Sequence, residues 1–428
     1  ILLHFQLKLL FFSPKVLAFD PSPLLSARGL CRRRHRSISA SAAAAPKKMA
    51  LAGVDSIRMG SNEGGEGERV VRWAIIGLGD VCAVKSGPAF YKCHGSTLSA
   101  VMRRTPGAAQ EWIKNNASNL PGDVARSIRA FDTVEQMMEE MGSSLDAIYV
   151  ASPPGAHLEN VRQIVTCLST SSSSSLKAVY VEKPCGRCAW ETRAMADELR
   201  ARNIEFYPAY VSRAHERTQI LRKLLSDDKV CGEKVTHIKY TQRGSSFARG
   251  LDGTDGKIPW RLVASQSGGG LIMDMGCHVL DRLDYLFGPL GNIDSNVLCK
   301  GAQSSSSSQS YPLVEDYVAM SATIGDCDWS AIPSTGASVE CIWDFSPKDH
   351  STSTQKDEVD ELEISGPEGS VRMAAMGPGL PIRISDADGK LVRTLEFDPP
   401  AHSAQPLIQS VVNELLNLEK DGENSSNL

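Results

Sequence analysis

The chain has 428 residues, of which 42% are hydrophobic, and its formal net charge is −4. This length allows two ordinary domains, and the composition is that of a globular protein. A charge so near to neutral gives no reason to expect a nucleic-acid partner, and no segment is long and apolar enough to predict a membrane span. The 11 cysteines lack a repeated spacing, so we expect reduced thiols and not a disulfide framework.

Residues 1–67 differ in composition from the rest and are interpreted as a leader segment followed by a linker. Residues 5–12 are apolar, and five arginines follow between residues 28 and 36, while Asp20 is the one acid before residue 50. An arginine-rich, acid-poor stretch is typical of an organelle transit peptide, which would direct the protein to a plastid or mitochondrion. An untranslated leader ahead of a start at Met49 fits equally, and the protein would then be cytoplasmic.

Strand and helix patterns alternate through residues 68–188. Mostly apolar runs predict strands at residues 70–76, 98–102, 146–151 and 177–181, and helical stretches lie between them at about 107–117, 133–141 and 156–168. Such alternation predicts a doubly wound parallel sheet with helices on both faces, which is the Rossmann type of nucleotide-binding domain.

The pattern changes after Cys188. Predicted helices at 190–202 and 214–226 flank a short strand at 205–208, and a last helix is predicted at 406–419. Runs that alternate with polar residues lie at 235–242, 317–324, 337–345, 361–365 and 382–385. They suit an antiparallel sheet with one solvated or partner-covered face. We therefore predict an α/β chain whose second domain, residues 189–420, is α+β and contains a large, mostly antiparallel open sheet. Residues 421–428 would form a tail.

A glycine-containing turn, Gly77-Leu78-Gly79-Asp80-Val81-Cys82, follows the first predicted strand. Gly77 would permit a tight turn, and Gly79 would let the backbone approach a pyrophosphate at the start of the next helix. Cys82 stands where the dinucleotide fingerprint has glycine or alanine. Because the turn lies inside a strand–helix–strand unit, we predict that Gly77, Leu78, Gly79, Asp80 and Val81 bind a dinucleotide cofactor.

The end of the second strand predicts which cofactor binds. An NAD-binding fold has an acid there to hold the ribose 2′-hydroxyl, whereas this chain has Arg103 and Arg104. Two guanidiniums match a 2′-phosphate in charge and in forked geometry. The pair therefore favours NADP(H) over NAD(H), with a solvated basic pair as the alternative.

Two further predicted strand ends carry candidate residues, because ligands bind at this edge of such sheets. Ser152 and Pro153 end the third strand and are predicted to flank the cofactor. His157 is predicted as another cofactor contact, with a surface histidine at a helix start as the alternative. Glu182 and Lys183 follow the fourth strand. A lysine there can hydrogen-bond a substrate hydroxyl and a ribose together; otherwise it is a surface lysine beside a structural proline.

A set of acids and a histidine follows the glycine run at 268–270. Asp274, His278 and Asp281 are spaced i, i+4 and i+7, so a regular helix would place all three on one face. A histidine between carboxylates can be oriented and raised in pKa to exchange a proton near neutrality. Zinc pairs at i, i+4 usually have two histidines, so we predict no metal. A structural cap by Asp274 is the alternative to catalysis.

Taken together, these motifs resemble the Gfo/Idh/MocA family, named for glucose–fructose oxidoreductase, inositol dehydrogenase and a rhizopine-catabolism protein. The matching pieces are Gly77-Leu78-Gly79, Ala151-Ser152-Pro153-Pro154 with His157, Glu182-Lys183-Pro184, Trp260-Arg261, and Gly269-Gly270 followed by Asp274, Gly276, His278 and Asp281. The resemblance implies a Rossmann domain, a C-terminal open sheet commonly used for dimerisation, and hydride transfer between a nicotinamide and a sugar, polyol or related carbinol.

The resemblance also implies roles for single residues. Lys183 would lie beside the nicotinamide and the reacting oxygen, and Asp274 and His278 would form an acid–histidine pair in which His278 donates a proton to a carbonyl. Substrate-binding positions would be Asp274, His278, Tyr210, Arg213, Trp260 and Arg261. The expected partners are a small-molecule substrate and further copies of the chain, as a dimer or tetramer through the C-terminal sheet.

The chain departs from the family pattern in three places. A serine tract, residues 169–175, replaces the glycine usual before the fourth strand, and Cys82 replaces the third glycine or alanine. The sequence also ends soon after residues 406–419, where family members usually continue into a final helix. Two alternatives to an oxidoreductase therefore stay open: a nucleotide-binding regulator without turnover, and a glycosidase or transferase that recycles a bound cofactor. The presence of Lys183, Asp274 and His278 favours the oxidoreductase.

Overall fold

The computed structural model describes residues 69–79, 82–170, 174–244, 259–300, 314–346 and 358–425. The first sheet has six strands, all paired in parallel and in the order β3-β2-β1-β4-β5-β6. Their bounds are β1 Val71–Ile76, β2 Ser96–Met102, β3 Arg129–Phe131, β4 Ala147–Val150, β5 Ala178–Val181 and β6 Glu205–Pro208. The order reverses between β1 and β4, which creates the crevice where nucleotides bind in doubly wound sheets.

Helices cover both faces of this sheet, and all residues of β4 are fully buried. On one face, α5 packs between α4 and α6; on the other, α10 packs against α1 and β1. Apolar runs without alternation form such strands because both faces are covered. The helix bounds are α1 Ala89–Lys92, α2 Ala108–Asn116, α3 Gly122–Ser127, α4 Val134–Met141, α5 Pro154–Thr170, α6 Ala189–Arg200 and α10 Gln405–Ser425.

The second sheet has eight strands in the order β14-β13-β12-β11-β7-β10-β9-β8, and every neighbouring pair is antiparallel except β7 with β10. The predicted α/β fold with a second, mostly antiparallel sheet is therefore confirmed. Strand bounds are β7 His237–Arg243, β8 Leu290–Leu298, β9 Tyr317–Ile324, β10 Ser338–Asp344, β11 Val359–Gly366, β12 Gly369–Met373, β13 Ile382–Asp386 and β14 Leu391–Leu395.

One face of the second sheet is apolar and covered by helices. Ile238 and Tyr240 of β7 are fully buried in a core that also contains Leu221 of α7 and Val279 of α9. Residues on the opposite face, such as Lys239, are exposed, which explains the polar alternation of the sequence. The helices that belong here are α7 Glu216–Ser226, α8 Ala264–Ser267 and α9 Cys277–Phe287.

Two elements link the second half of the chain to the first sheet. Strand β6 pairs with β5, although it follows residue 188, where the sequence placed the domain boundary. Helix α10, predicted at 406–419, returns to the start of β2, where the Gln409 amide accepts from the His94 N–H at 2.8 Å and donates to its carbonyl at 3.0 Å. No helix among the described residues is long and apolar enough to cross a membrane.

Candidate active site

The turn after β1 has two glycines with different surroundings. Gly77 has a φ of 95°, and a Cβ there would lie 2.6 Å from the Ser152 nitrogen. Its own N–H donates to the Met102 carbonyl at 3.0 Å, so the turn is locked between β2 and β4. Gly79 is exposed, and a Cβ there would meet no atom within 4 Å. The backbone at Gly79 is therefore open to a phosphate-bearing ligand, as the dinucleotide fingerprint requires.

The rest of the predicted turn is partly buried. Leu78 is only 5% exposed, so its side chain packs inward. Asp80 and Val81 lie outside the described residues. Cys82 begins a π-helical turn, Cys82–Ser86, and is fully buried. Burial raises the pKa of its thiol to about 12, so Cys82 is an inert packing residue at the third fingerprint position.

Arg103 and Arg104 lie where the sequence predicts them, directly after β2. Both side chains are exposed, and no described carboxylate forms an ion pair with either. The Arg103 N–H donates to the Phe131 carbonyl at 3.1 Å, which fixes the backbone beside the Gly77 turn. Among the described residues, the two guanidiniums after β2 therefore have no carboxylate partner.

The structure corrects the prediction for His157. Its side chain is fully buried, so it is neither a surface residue nor exposed to a cofactor. The ring nitrogens lie 2.8 Å from the Cys185 carbonyl and 2.5 Å from the Ser152 carbonyl. Burial lowers the pKa of His157, although these carbonyls act in the opposite direction. His157 therefore ties the loops after β4 and β5 together, while Ser152 and Pro153 remain partly exposed beside Gly77.

Lys183 and Asp274 meet at this edge of the first sheet. The Lys183 Nζ donates to Asp274 Oδ1 at 2.9 Å and to the Asp274 backbone carbonyl at 3.0 Å. The other carboxylate oxygen of Asp274 lies 3.2 Å from Arg261 Nε. Burial alone would lower the pKa of Lys183, but its interactions with Cys277, Asp274 and Glu182, together with the hydrogen bond to Asp274, outweigh burial and raise the pKa. Lys183 is therefore a hydrogen-bond donor held in place by Asp274 and protonated at neutral pH.

Glu182 faces the interior of the first sheet. Its carboxylate accepts a 2.5 Å hydrogen bond from the Tyr149 hydroxyl, which lies 3.0 Å from Ser86 Oγ. Burial raises the pKa of Glu182, and Lys183 and Tyr149 partly oppose that shift. Although we predicted cofactor contact for Glu182, its described partner is Tyr149. The sequence carried no signal for Tyr149, because a tyrosine in a buried strand resembles any other core residue.

The helix that carries Asp274 and His278 is not regular. Residues Ile272–Gly276 form a π-helical turn, and α9 starts at Cys277. A π turn hydrogen-bonds from i to i+5, so it rotates the residues on its two sides relative to a regular helix. Asp274 accordingly pairs with Lys183 and Arg261, and no hydrogen bond joins it to His278. The expectation that Asp274, His278 and Asp281 share one face assumed a regular helix, whereas this segment begins with a π turn.

His278 is partly buried, and none of the described residues forms a hydrogen bond with its ring. Burial lowers the pKa of His278 well below 6.5, and the positive charges of Lys183 and Arg282 lower it further. This shift is opposite to the raised pKa that the neighbouring carboxylates suggested. The imidazole is therefore neutral at pH 7, with a ring nitrogen that can accept a proton.

Asp281 pairs with Arg213 and not with His278. The Arg213 Nη2 lies 2.6 Å from Asp281 Oδ1, and its guanidinium stacks on Tyr285 at 5.2 Å. Arg213, predicted to bind substrate, thus anchors the Val211–Ala214 turn to α9. Tyr210 is half-buried just before that turn, and burial raises its pKa.

Trp260 and Arg261 lie on the short helical turn Trp260–Leu262. The Arg261 guanidinium sits 4.7 Å from the Trp260 ring centre and pairs with Asp274. Of the predicted substrate residues, Arg261 and Asp274 are thus in contact with each other. Asp274 also contacts Lys183. The described residues contain no group of histidine, cysteine, aspartate and glutamate side chains that could hold a metal.

Comparison with known proteins identifies the family. Residues 71–209 match the oxidoreductase family with an NAD-binding Rossmann fold, and residues 223–372 match the GFO/IDH/MocA C-terminal domain. The chain belongs to the Gfo/Idh/MocA family. It is a nicotinamide-dependent oxidoreductase. Oxidoreductase P35 of Formosa agariphila is 25% identical over 352 residues, which cover 82% of this chain and 92% of that protein.

Other similar proteins match over less of the chain or share the fold alone. Trans-1,2-dihydrobenzene-1,2-diol dehydrogenase of Bos taurus is 25% identical, over 44% of this chain and 47% of its own length. Aldose-aldose oxidoreductase from Caulobacter crescentus has the same fold, with a TM-score of 0.60 and 21% identity over 83% of this chain and 90% of that one. The super-repressor mutant of Gal80p from Saccharomyces cerevisiae shares it too, with a TM-score of 0.63 and 15% identity over 82% and 86%.

Proposed function

We propose that the protein is an NADP(H)-dependent oxidoreductase that transfers a hydride between the nicotinamide and a carbinol or carbonyl carbon of a sugar, a polyol or a related small molecule. The observation that carries the proposal is the Lys183–Asp274 pair at the sheet edge that also holds the open Gly79 turn. The pair supplies a charged donor, and His278 beside it supplies a neutral acceptor.

The cofactor fits the residues at this edge. Gly77 and Gly79 would receive the pyrophosphate, Ser152 and Pro153 would flank the ribose or nicotinamide, and Arg104 with Arg103 would bind a 2′-phosphate. The two guanidiniums support NADP(H), since no described acid stands at the end of β2 to hold a ribose hydroxyl. When bound, the nicotinamide would accept or supply the hydride.

The chain's own residues would handle the proton and the substrate oxygen. Lys183 would donate a hydrogen bond to the reacting oxygen, and Asp274 would keep Lys183 charged and in place. His278 would take the hydroxyl proton as the carbon loses its hydride, because a neutral imidazole is a base and not an acid. In the reverse direction the protonated His278 would return this proton to the carbonyl oxygen, which is the donor role that the family resemblance implies.

Names of relatives support the substrate class. Aldose-aldose oxidoreductase and levoglucosan dehydrogenase both have this fold, the latter with a TM-score of 0.58 and 16% identity. Because Gal80p has it too, a regulator without turnover is the second candidate. The residues that favour turnover are Lys183, Asp274 and His278, since a pure nucleotide binder needs none of them. A third candidate, a glycosidase or transferase that recycles its cofactor, would keep the nicotinamide bound.

The test begins with thermal-shift titrations of NAD and NADP, followed by turnover assays on a panel of aldoses, polyols and anhydrosugars. We expect NADP to stabilise the protein more than NAD, and at least one polyhydroxylated compound to reduce added NADP. Stabilisation by cofactor without turnover on any compound would favour the regulator. Cofactor that stays bound through dialysis would favour the recycling enzyme.

We also propose that the exposed face of the second sheet joins copies of the chain. Its central strand β7 carries Lys239 in register with Glu340 of β10 and Glu363 of β11, so the face is polar with alternating charge. Sedimentation at two salt concentrations tests this assembly. Sedimentation as a monomer at both salt concentrations would contradict this proposal.

A further inference from the structure

The glycine run before the π turn is shaped by a buried carboxylate. A Cβ on Gly269 would lie 2.9 Å from Glu315 Oε1 and 3.0 Å from Oε2, and a Cβ on Gly270 would lie 2.4 Å from the Glu315 carbonyl oxygen. Real Cβ atoms do not approach other atoms so closely. Gly269 and Gly270 therefore leave the space that Glu315 fills.

Glu315 lies just before β9 and is 6% exposed. Its Oε1 accepts the Met273 N–H at 3.3 Å. Burial raises the pKa of Glu315, while backbone N–H groups, including those of Gly270 and Met273, lower it. The carboxylate thus satisfies free N–H groups at the start of the helical segment that continues to Phe287, where the helix dipole also favours a negative charge.

The residue next to this contact is Asp274. The Asp274 N–H donates to the Gly270 carbonyl at 3.3 Å, so the Asp274 backbone is hydrogen-bonded to the same segment that Glu315 contacts. Lys183 Nζ contacts both the carboxylate and the backbone carbonyl of Asp274. A double contact of this kind depends on the backbone position and not only on the side-chain rotamer.

We propose that Glu315 is a positioning residue: by holding the Gly270–Met273 backbone it sets Asp274 against Lys183. The catalytic consequence rests on the proposed function, but the effect on Lys183 does not. Replacing Glu315 by alanine would free the start of the segment and weaken the Lys183–Asp274 contact. Lys183 would then keep its burial, which lowers its pKa, and lose part of the charge interaction that raises it.

Two measurements without turnover test this. The pKa of Lys183 is followed by NMR after reductive ¹³C-methylation, with its signal assigned by its absence in Lys183→Arg. Hydrogen exchange is followed in peptides that cover residues 271–281. In Glu315→Ala we expect a lower Lys183 pKa and about tenfold faster exchange of this segment. In Glu315→Gln, which keeps an acceptor oxygen, both should lie closer to the parent.

The matched control is Asp146→Ala. Asp146 is also a carboxylate 6% exposed, and it accepts the Arg72 N–H at 2.9 Å, but it lies at the opposite, amino-terminal edge of the first sheet. It should lower stability without changing the Lys183 pKa. If Glu315→Ala leaves the Lys183 pKa unchanged, or if Asp146→Ala shifts it equally, the proposal is overturned.

If the protein turns over a substrate, Glu315→Ala should lower kcat by up to about 100-fold, since misplacement by an ångström can cost that much. Cofactor affinity should stay near the parent value. Absence of turnover in the parent would contradict the proposed function, while the NMR and exchange results would still decide the role of Glu315.

Discussion

The ammonium of Lys183 contacts Asp274 through two different groups, the side-chain Oδ1 at 2.9 Å and the backbone carbonyl at 3.0 Å. The first contact is electrostatic, and the second ties the lysine to the path of the chain. Lys183 comes from the first sheet and Asp274 from the helical segment after the glycine run. The pair therefore joins the two halves of the candidate active site, so a change in either half should reach the other.

The two glycines of the first turn should respond differently to alanine. Gly77→Ala places a Cβ 2.6 Å from the Ser152 nitrogen at a φ of 95°, so we expect a loss of about 1–3 kcal/mol in unfolding free energy. Gly79→Ala has free space and should change stability by less than about 0.5 kcal/mol, yet weaken cofactor binding. Denaturant unfolding and cofactor titration of both variants check this. Equal stability of the two would contradict the assignment.

Cofactor preference should depend on Arg104 and Arg103. Arg104→Ala should weaken NADP(H) binding by about 1.5–3 kcal/mol, the scale of a charge-assisted contact, and leave NAD(H) binding nearly unchanged. Arg202→Ala is the control, because that exposed arginine follows α6 at the opposite edge of the sheet. Titration with both cofactors is the measurement. Equal losses for NADP(H) and NAD(H) would remove the 2′-phosphate assignment.

Most of the fold was predictable because most strands have one or two buried faces, and each case leaves a recognisable pattern of apolar residues in the sequence. β1, β4 and β5 have covered faces and appear as apolar runs, while β9 alternates strictly and was predicted with the observed bounds. The strands that escaped prediction are short or weakly patterned. β3 has three residues, and most side chains of β14 are exposed.

The sequence predicted Lys183, Asp274 and Arg261 as candidate site residues, but it did not predict which of them pair. Spacing placed Asp274, His278 and Asp281 on one helix face, but it predicted neither the π turn at Ile272–Gly276 nor the ion pair of Asp281 with Arg213. The direction of the His278 pKa depends on burial and on Lys183, which is remote in sequence. Periodicity contains neither piece of information.

Acid should destabilise the protein partly through His278. The pKa of His278 is lower in the folded state than its usual value of 6.5. The neutral side chain therefore makes its full contribution to stability above pH 6.5. That contribution is lost as the pH falls towards the folded-state pKa. The loss is at most about 1.4 kcal/mol per pH unit for one such group. His278→Gln should remove this component.

Unfolding free energies at about pH 7.5 and about pH 5.5, compared between parent and His278→Gln, check the sign. His157 and His215 are shifted in the same direction, so the variant should keep part of the acid sensitivity. The raised pKa values of Glu182 and Asp281 act in the opposite direction, but they are common to both proteins. An equal pH dependence in the two would contradict the lowered pKa of His278.

Proton transfer should separate His278 from Lys183. In alcohol oxidation the hydroxyl loses its proton as the carbon loses its hydride, and neutral His278 would receive that proton while Lys183 stabilises the oxygen. His278→Ala should lower kcat by about 10²–10⁴-fold, the usual range for a general base, with little change in cofactor affinity. It should also remove the acid limb of the kcat profile, because no imidazole remains to be protonated.

Lys183→Ala should lower kcat as well and weaken cofactor binding, whereas Lys183→Arg keeps the charge and should retain the binding. The decisive measurement is kcat against pH beside cofactor titration for all three variants. If His278→Ala turns over like the parent, His278 is structural, and the proton acceptor is a bound water.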